Sequence, residues 1–599
     1  MVFAKLLKVY NFFGKKEKLK LLQSQLIILI TSFFELISVF SVGPLIQILT
    51  KPDSIYNEDQ FIGKFYNYFE FTSFQSFLFF VVIAVFFILL ISTIIITYNT
   101  YIITTFTQIL GNTLRVNLYK FYIFQPWLYH AKSNTADYIS KISAETGRVT
   151  NNVIFNVLIT NSRLVTGFFI IIFLAIYNLM VSFVVISIIG IMYAVIFWVV
   201  KNKIEEYGIV QSTLLRRLFK IMNESFVGIK ETIIYGKRKK YLDEFSKIGT
   251  EWGLAIGKSQ FLQIIPKNIL EFLAFSIILF FILVMTLTKE LNFNDSLPII
   301  AVYIFAGYKL LPIFQSVYHG IAQLKGNLYA LDNISHELSE SRKYFFTEEN
   351  KNMKSLSIEN DESIKFNNVS FKYKDQDRSI KDINLNIKNN SLNFIVGPSG
   401  AGKSTLLDLI LGLIFPKNGE IYVGQNKLTY ENSELWHHSL GYVGQNIFLV
   451  DDTIKKNICL NDLNATVDQN RLKRALKLSY VDHFLNDMPD GIETIVGDRG
   501  IKLSGGQRQR VVMARALYQN KKFLILDEAT ASLDGIAEKF IIDELKELSK
   551  SITIIMVTHN VKLCKYADMI YLLEDGLIKK SGNFDEIKQD SLFVKLLNE

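Results

Sequence analysis

The sequence predicts a six-helix, all-α transmembrane domain followed by an α/β domain. The 599 residues are 50% hydrophobic and 13% aromatic with a mean hydropathy of +0.25, which is too apolar for a chain that lies wholly in water. The long apolar tracts end near Asn333, and polar sequence with short strand-like runs follows. We therefore expect a transmembrane domain at 1–334, a connector at 335–361 and an α/β domain at 362–599.

Six apolar segments are long enough to cross a bilayer, which takes about 20 helical residues. These segments are 19–49, 77–103, 157–177, 180–200, 266–288 and 297–323. The connections at 178–179 and 289–295 are very short, whereas those at 104–156 and 201–265 are long and polar. Because short and long connections alternate, the two long ones should share one side of the membrane.

The charges of the connections indicate which side that is. Residues 1–20 carry six Lys and one Glu, whereas residues 51–72 carry two Lys and four acidic residues. The positive-inside rule then places both termini and both long connections in the cytoplasm. The net charge of +9 suits either anionic lipid or nucleic acid, and in so apolar a chain we expect lipid and no nucleic acid. Cys459 and Cys564 are the only cysteines, so we expect no disulfide framework.

Two segments outside the spans have helical character. Residues 1–18 lack the pattern of a cleavable signal peptide and fit either an amphipathic helix on the inner leaflet or a disordered basic tail. Residues 55–69 place Phe61, Phe65 and Phe69 on one helical face, which predicts a short helix at the outer surface.

The α/β domain opens with a phosphate-binding loop. Residues 394–396 have strand character, GPSGAGKS follows at 397–404, and 405–411 are typical of a helix. In this context the glycines let backbone N–H groups surround phosphates, Lys403 reaches the terminal phosphates, and the Ser404 hydroxyl ligates Mg²⁺. The predicted phosphate-binding residues are Gly397, Pro398, Ser399, Gly400, Ala401, Gly402, Lys403, Ser404 and Thr405.

A second apolar strand, 523–526, ends in two carboxylates. Downstream of a phosphate loop, this pattern predicts Asp527 as a partner of Mg²⁺ and Glu528 as the base that activates the attacking water.

The sequence LSGGQ at 503–507 resembles the signature motif of ABC-type ATPases, and other motifs of that family occur in the family's order. By this resemblance Tyr373 stacks on adenine, Gln445 contacts Mg²⁺ and the attacking water, and His559 contacts the γ-phosphate. ASLD at 531–534 resembles the D-loop with Asp534, and VGDRG at 496–500 resembles an exporter-specific loop. The resemblance also implies that Ser504, Gly505, Gly506 and Gln507 bind the nucleotide held by a second copy of the chain.

Three positions depart from the family pattern. Gly444 stands where Pro is usual, Asp498 where Glu is usual, and Asn560 where Arg is common. None of these changes removes a chemical group that hydrolysis needs.

The whole chain resembles a half-transporter of the ABC exporter type. The resemblance implies a homodimer that binds ATP and Mg²⁺ and couples hydrolysis to transport, in the bacterial inner membrane with the ATPase domain in the cytoplasm. It also implies short coupling helices, expected near 129–138 and 235–245. The basic run at 237–240 fits equally a coupling role and a solvated or lipid-facing surface.

Ionisable residues inside the spans are candidates for substrate contact, because each is costly in lipid. Lys309 and Glu35 should lie near the middle of the bilayer, and Lys309 either pairs with an acid such as Glu35 or faces a cavity. Nearer the inner interface are Lys267, Glu271, Arg163 and His319, whose side chains could simply extend to the aqueous boundary.

Short patterns in the membrane half resemble bacterial flippases of lipid-linked oligosaccharides. They comprise Glu35 followed by Pro44, PKNILE at 266–271 and YKLLP at 308–312. This resemblance implies a polyprenyl-pyrophosphate oligosaccharide as substrate, with Lys309 and Lys267 near its pyrophosphate. The alternatives are an exporter of lipids, peptides or hydrophobic drugs, or an ATP-gated regulator. Intact Glu528 and His559 favour repeated turnover over gating.

Overall fold

The computed structural model describes residues 10–50, 52, 61–69, 71, 73–177, 179–288, 293–341, 363–373, 379–460 and 467–598. The chain divides into two compact units, Met1–Gln125 with Tyr129–Lys351, and Pro126–Leu128 with Asn352–Glu599. Residues 1–9, most of 51–60 and the connector from 342 onward lie outside the described residues, and so do Asn178 and 289–292. The predictions for these segments therefore stay predictions.

The first unit is built from helices, several of them far longer than a bilayer is thick. The helices are Lys15–Phe40, Val42–Thr50, Phe61–Tyr68, Phe74–Ile123, Trp127–Lys132, Thr135–Ile139, Thr146–Arg148, Phe155–Tyr177, Leu179–Val227, Ile229–Ile234, Arg238–Thr288 and Phe293–Ser341. Wide π-helical turns occupy Ser140–Glu145 and Val149–Ile154. At 1.5 Å per residue, the 50-residue helix Phe74–Ile123 is about 75 Å long, against about 30 Å for the hydrocarbon core.

Three helical stretches of the described residues are long and apolar enough to cross a membrane. They are Lys15–Leu49, Phe74–Ile123 and Thr135–Ile176, and they overlap the first three predicted spans. The other three predicted spans lie on Leu179–Val227, Arg238–Thr288 and Phe293–Ser341, where many side chains are outside the described set.

Two boundaries differ from the sequence-based expectation. The last long helix continues to Ser341, beyond the predicted start of the connector at 335. The second short helix is Ile229–Ile234, which ends before the predicted segment 235–245 begins. Gly228 and Gly236 flank this short helix, and Gly236 has a φ of +63° that favours glycine. The basic residues that follow belong to the first turns of Arg238–Thr288.

Within its described residues, the second unit contains ten strands in two sheets. The strands are β1 Ile364–Lys372, β2 Ser379–Ile387, β3 Leu392–Val396, β4 Asn418–Val423, β5 Asn426–Lys427, β6 Leu440–Val443, β7 Phe523–Asp527, β8 Thr553–Val557, β9 Met569–Glu574 and β10 Leu577–Gly582. An antiparallel sheet has the order β2-β1-β4-β5, and the larger sheet has the order β10-β9-β3-β8-β7-β6. In the larger sheet the strands pair in parallel except for β10.

Helices cover the larger sheet. They are Lys403–Ile410, Ser433–His437, Ile454–Ile458, Gln469–Leu478, Asp482–Leu485, Gly505–Tyr518, Gly535–Leu548, Phe584–Ile587 and Ser591–Asn598. All five residues of β3 are buried, because side chains alternate between two apolar clusters. Phe394 and Val396 belong to one cluster and Ile395 to the other. A strand buried on both faces is typical of the centre of a parallel sheet.

Candidate nucleotide-binding site

The phosphate loop lies at the carboxyl end of β3, between that strand and the helix Lys403–Ile410. Gly400 and Gly402 have φ values of +85° and +102°, which side chains rarely adopt, and Gly402 is the N-cap of the helix. A Cβ at Gly397 would overlap the carbonyl oxygen of Leu573 on β9. The loop therefore requires glycine where the motif predicts it, and the binding of phosphates by its N–H groups stays a prediction.

Lys403 is buried at the start of this helix, with 6% of its surface exposed. Its Nζ donates hydrogen bonds to the carbonyl oxygens of Gly397 (2.7 Å) and Pro398 (3.0 Å). Burial lowers the pKa of Lys403, and the carboxylates of Glu528 and Asp527 oppose that effect. The ammonium group thus lies near the predicted Mg²⁺ partner Asp527 and the predicted base Glu528.

Glu528 follows β7 and gathers the other two predicted catalytic residues. Gln445 Nε2 donates to Glu528 Oε2 at 2.9 Å, and His559 Nε2 lies 2.8 Å from Glu528 Oε1. The backbone at Glu528 has a φ of +52°, and its N–H donates to the carbonyl oxygen of Val557 at 2.9 Å. Gln445 precedes Glu528 by more than 80 positions, and His559 follows it by more than 30. The structure therefore brings together three residues that are distant along the chain.

Asp527 and Glu528 act on the Lys403 ammonium group, and the described residues contain no cluster of three or more acidic, His or Cys side chains that could hold a metal ion by themselves. Burial raises the pKa of Asp527, with Glu528 adding to the effect. Burial also raises the pKa of Asp408 to about 6, and nearby Asp527 contributes. Carboxyl groups that are costly to ionise together are stabilised by an added cation. Mg²⁺ is ordinarily held by one or two carboxylates and by the phosphates of its substrate, so Asp527 and the Ser404 hydroxyl suit the role predicted for them.

Tyr373 lies beside the helix that follows the phosphate loop. Its ring packs edge-to-face on Phe371, with centroids 4.9 Å apart. Burial raises the pKa of its hydroxyl, which interacts with Asp408 and Thr405. The adenine-stacking role of Tyr373 stays a prediction.

The signature segment begins the helix Gly505–Tyr518. Ser504 is its N-cap, and Ser504 and Gln507 form a reciprocal capping box at 3.2 and 2.8 Å. A Cβ at Gly506 would lie 2.8 Å from the carbonyl oxygen of Ser532, so glycine allows the helix start to approach the D-loop. Within the described residues, no hydrogen bond joins 504–507 to the phosphate loop of the same chain.

Sequence reasoning missed two side chains of this site. Gln509, buried in the signature helix, donates to the carbonyl oxygen of Glu528 at 2.9 Å and accepts from the N–H of Ser532 at 3.1 Å. It thereby connects the signature helix, the predicted catalytic glutamate and the segment predicted as the D-loop. The second is Asp408, one helical turn after Ser404. Its position on the inward face of the first turns was the available signal.

Asp534 is the N-cap of Gly535–Leu548, where it accepts hydrogen bonds from the N–H groups of Ile536 (3.1 Å) and Ala537 (2.8 Å). The bond from Ala537 is the first cause of a lowered pKa of Asp534, and Arg510 adds to it. The carboxylate is therefore fixed in its charged form at the start of the helix.

Two of the three departures from the family pattern have local structural explanations. A Cβ at position 444 would lie 2.8 Å from the hydroxyl of Tyr442, so this aromatic neighbour favours Gly444. Asn560 Nδ2 donates to Glu538 Oε2 at 3.2 Å, which anchors the residue after His559 to the neighbouring helix. Nothing in the structure explains Asp498.

In the membrane unit, the pairing of Lys309 with Glu35, one of the two alternatives expected for this lysine, is not observed among the described side chains. Glu35, with 4% of its surface exposed, has its Oε2 3.9 Å from a guanidinium nitrogen of Arg163. Lys309 is half-buried and forms no ion pair with any side chain in the described ranges. Lys267 is exposed and lies 3.9 Å from Glu271 on the same helix. Glu35 is therefore a buried acid whose ion-pair partner, Arg163, stays partly exposed.

Comparison with known proteins connects these features to one family. Residues 380–531 match the family model of ABC transporters. The ATP-dependent permease MDL1 of Candida albicans is 39% identical over 242 residues, which are 39% of this chain and 35% of the permease. The ATP-dependent lipid A-core flippase of Ralstonia nicotianae is 35% identical over 236 residues, 39% of this chain and 40% of the flippase. The chain thus matches less than half the length of these relatives.

The fold is similar over nearly the entire chain to a solved structure of a bacterial Atm1-family ABC exporter with ATP bound. The TM-score is 0.76 at 19% identity, and the match covers 97% of this chain and 98% of the other. The predicted fold class is therefore confirmed: a helical membrane domain precedes an ABC-type ATPase domain. ATP is the nucleotide that such a domain binds.

Proposed function

We propose that this chain is one subunit of a homodimeric transporter that uses ATP hydrolysis to move a lipid-linked substrate across the membrane. The observation that carries the proposal is the convergence of Gln445 and His559 on the two carboxylate oxygens of Glu528. This arrangement is suited to hydrolysis, and it belongs to a chain with the fold of an exporter. A regulator that only binds nucleotide would need no such base.

The residues of the site have different roles in the proposed hydrolysis. The phosphate-loop N–H groups and Lys403 bind and orient the phosphates, and Asp527 and Ser404 would hold Mg²⁺. Mg²⁺, when bound, supplies positive charge that neutralises the phosphate oxygens. Glu528 accepts a proton from the attacking water, while Gln445 and His559 fix the orientation of its carboxylate.

The site is completed by a second copy of the chain. Ser504, Gly505 and Gly506 place the N-terminus of a 14-residue helix where its N–H groups and dipole favour an anion. Because this segment forms no hydrogen bond with its own phosphate loop in the described residues, it is free to serve the nucleotide of the partner.

For the substrate we propose a lipid with an anionic head, of the polyprenyl-pyrophosphate oligosaccharide type. Lys309 is a half-buried cation on a helix of the membrane unit and has no ion-pair partner among the described side chains. An ammonium group in such a place is stabilised when an anion arrives. The name of the Ralstonia relative, a lipid A-core flippase, is in line with a lipid substrate. The basic N-terminal stretch favours an inner-membrane protein with its ATPase domain in the cytoplasm.

The test is flipping of a polyprenyl-pyrophosphate oligosaccharide in proteoliposomes that contain the full chain. Lys309→Gln keeps polarity but removes charge, so it should abolish ATP-dependent flipping and substrate stimulation while basal ATPase activity stays. The control is Lys220→Gln on Leu179–Val227, where the lysine is 60% exposed and pairs with Glu224. Unchanged flipping in Lys309→Gln would contradict the anionic-head proposal and favour export of hydrophobic compounds.

A further inference from the structure

The membrane unit contains a cavity of about 420 Å³ whose walls are unusually rich in amide side chains. The amides come from three long helices and include Gln211, Gln260, Gln263, Gln323 and Asn327. The volume lies within the range of small-ligand sites, roughly 300–1,000 Å³. None of these residues takes part in the nucleotide chemistry or in the cation sites proposed above.

The amides on one wall form a continuous hydrogen-bonded row. Asn327 Nδ2 donates to Gln323 Oε1 at 3.0 Å, and Gln323 Nε2 donates to Gln263 Oε1 at 2.7 Å. Gln263 Nε2 then donates to the hydroxyl of Ser259 at 3.2 Å. Each amide is thereby fixed in one orientation, so the wall is organised before any ligand enters.

The charged group beside this row of amides, Arg148, is paired with an acid of the protein. Arg148 lies 3.5 Å from Glu145, and its Nε donates to Asn327 Oδ1 at 3.1 Å. Two further donors bond the Ser212 hydroxyl and the carbonyl oxygen of Gly208. The guanidinium is therefore held in place and paired with an acid of the protein, and no other charged side chain lines the cavity among the described residues.

Hydrogen-bonding capacity nevertheless remains in the cavity. The Gln260 amide makes no hydrogen bond to another described residue, and the Oε1 of Gln211 accepts none. An amide offers both donors and acceptors, which is the complement of a hydroxyl group. Trp252 and Phe219 add aromatic surface to the same cavity. Amides beside an aromatic face are suited to a ligand that carries many hydroxyl groups on an apolar ring.

The helix that bears Arg148 is locally widened at this point. The π-helical turns Ser140–Glu145 and Val149–Ile154 lie directly before and after Thr146–Arg148. Such turns are rare and occur frequently at functional sites, because they displace side chains from the regular helical position. They direct Arg148 and Asn152 towards the cavity wall.

We propose that this cavity is a binding site for a neutral, hydroxyl-rich group, namely a sugar unit of the transported substrate. The proposal rests on the proposed function for the origin of that sugar. Gln263 lies one helical turn before Lys267, so a sugar in the cavity and an anionic head at the lysine would be neighbours along one helix. In this proposal the cavity binds the neutral sugar, and the neighbouring lysine binds the charged head of the same ligand.

The test uses the full chain in nanodiscs without ATP and follows tryptophan fluorescence during titration with neutral oligosaccharides or with inorganic pyrophosphate. A neutral oligosaccharide should quench Trp252 with saturation in the millimolar range, and pyrophosphate should not. Trp252→Phe should remove the signal. Gln260→Leu should weaken saccharide binding about three- to tenfold, the worth of one hydrogen bond. Because Gln260 has no described partner, this change leaves the internal network intact.

The control is Gln75→Leu, at an exposed glutamine near the start of Phe74–Ile123, which should bind saccharide like the wild type. The assignment to a neutral ligand would be overturned if pyrophosphate quenched the fluorescence and Gln260→Leu weakened that quenching. It would also be overturned if the saccharide caused no quenching. Saccharide binding in a protein that shows no flipping would instead refute the transport function and leave the cavity assignment standing. The two proposals thus fail separately.

Discussion

Glu528 combines an unfavourable backbone conformation with the central position in the ATPase site. A φ of +52° is uncommon for a residue with a side chain and costs of order 1 kcal/mol. Two hydrogen bonds hold it there, from its N–H to Val557 and from Gln509 to its carbonyl oxygen. In this conformation the two carboxylate oxygens face Gln445 and His559. We infer that the strained backbone serves to orient the carboxylate.

Glu528→Gln should reduce steady-state ATP hydrolysis by ~10²–10⁴-fold, because an amide cannot accept the proton of the attacking water. ATP binding should persist, since Lys403 and the loop are unchanged. Measurement of turnover and of bound nucleotide on the purified protein checks both parts. Glu547→Gln, at a glutamate 70% exposed on a neighbouring helix, is the control and should behave as the wild type. Near-normal turnover in the first variant would remove Glu528 from the proposed role.

Asp408 predicts a specific pH dependence of stability. Because its pKa rises from 3.8 to about 6 in the folded protein, the folded state holds this proton more tightly than the unfolded state does. The stabilising contribution is complete below about pH 4 and is lost as the pH rises through 6. Asp408→Asn should therefore stabilise the nucleotide-free protein at pH 7 by roughly 1–2 kcal/mol, allowing for partial exposure. Thermal unfolding between pH 4 and 7 checks this. A gain that does not shrink towards pH 4 would contradict it.

At this scale the sequence predicted the phosphate loop, Asp527, Glu528, Gln445 and His559, because each belongs to a local motif of recognisable spacing. It did not predict the role of Gln509, whose two partners are Glu528 and Ser532. Such a link is a tertiary contact and leaves no local pattern. The partner of Glu35 was missed for the same reason, since depth along a helix does not reveal which face a side chain occupies.

At the scale of elements, the membrane unit depends on close contact between long helices. Gly208 on Leu179–Val227 meets Gly326 on Phe293–Ser341, and a Cβ at Gly208 would overlap the carbonyl oxygen of Gly326. Small residues allow helix backbones to approach in this way. Since Gly326 also lines the amide-rich cavity, this crossing fixes one of its walls.

Gly208→Ala should destabilise the protein by about 1–3 kcal/mol, because the added methyl group forces the two helices apart. Gly249→Ala is a matched control on Arg238–Thr288, where a Cβ would meet nothing within 4 Å. There the substitution should be neutral or slightly stabilising, since alanine favours helix. Thermal unfolding of both variants in lipid nanodiscs measures the difference. Equal stability of the two variants would show that the helices do not pack as closely as described.

The elements themselves were predictable to different degrees. Apolar length alone located the helices that carry the six predicted spans, and short continuous apolar runs located β3 and β7. The short helix Ile229–Ile234 precedes the predicted segment 235–245, because its ends are set by Gly228 and Gly236 and not by the basic run at 237–240. Wide turns such as Ser140–Glu145 have no compositional signal at all.

At the scale of the whole molecule, each chain carries both segments that the proposed composite ATP site requires. The loop with Lys403 lies at the end of β3, and the segment with Ser504 caps another helix. No hydrogen bond joins them within the part of the chain that the structure describes. If each site combines the loop of one chain with the signature segment of another, a variant in either half should disable both sites of a homodimer.

Mixing the two kinds of variant therefore tests the assembly. In a heterodimer of Lys403→Ala and Ser504→Arg chains, both lesions fall in one site, and the other site combines two wild-type halves. Heterodimers purified through two different affinity tags should trap about one nucleotide per dimer, whereas the wild type traps two and each homodimeric variant almost none. Glu528→Gln introduced into every chain prevents turnover, so that the count reports binding and closure alone. If the sites were instead formed within single chains, the Ser504→Arg and Lys403→Ala lesions would reside in separate sites, and the heterodimer would trap no more than the two homodimers do. Monomers that hydrolyse ATP as fast as dimers would contradict the composite site equally.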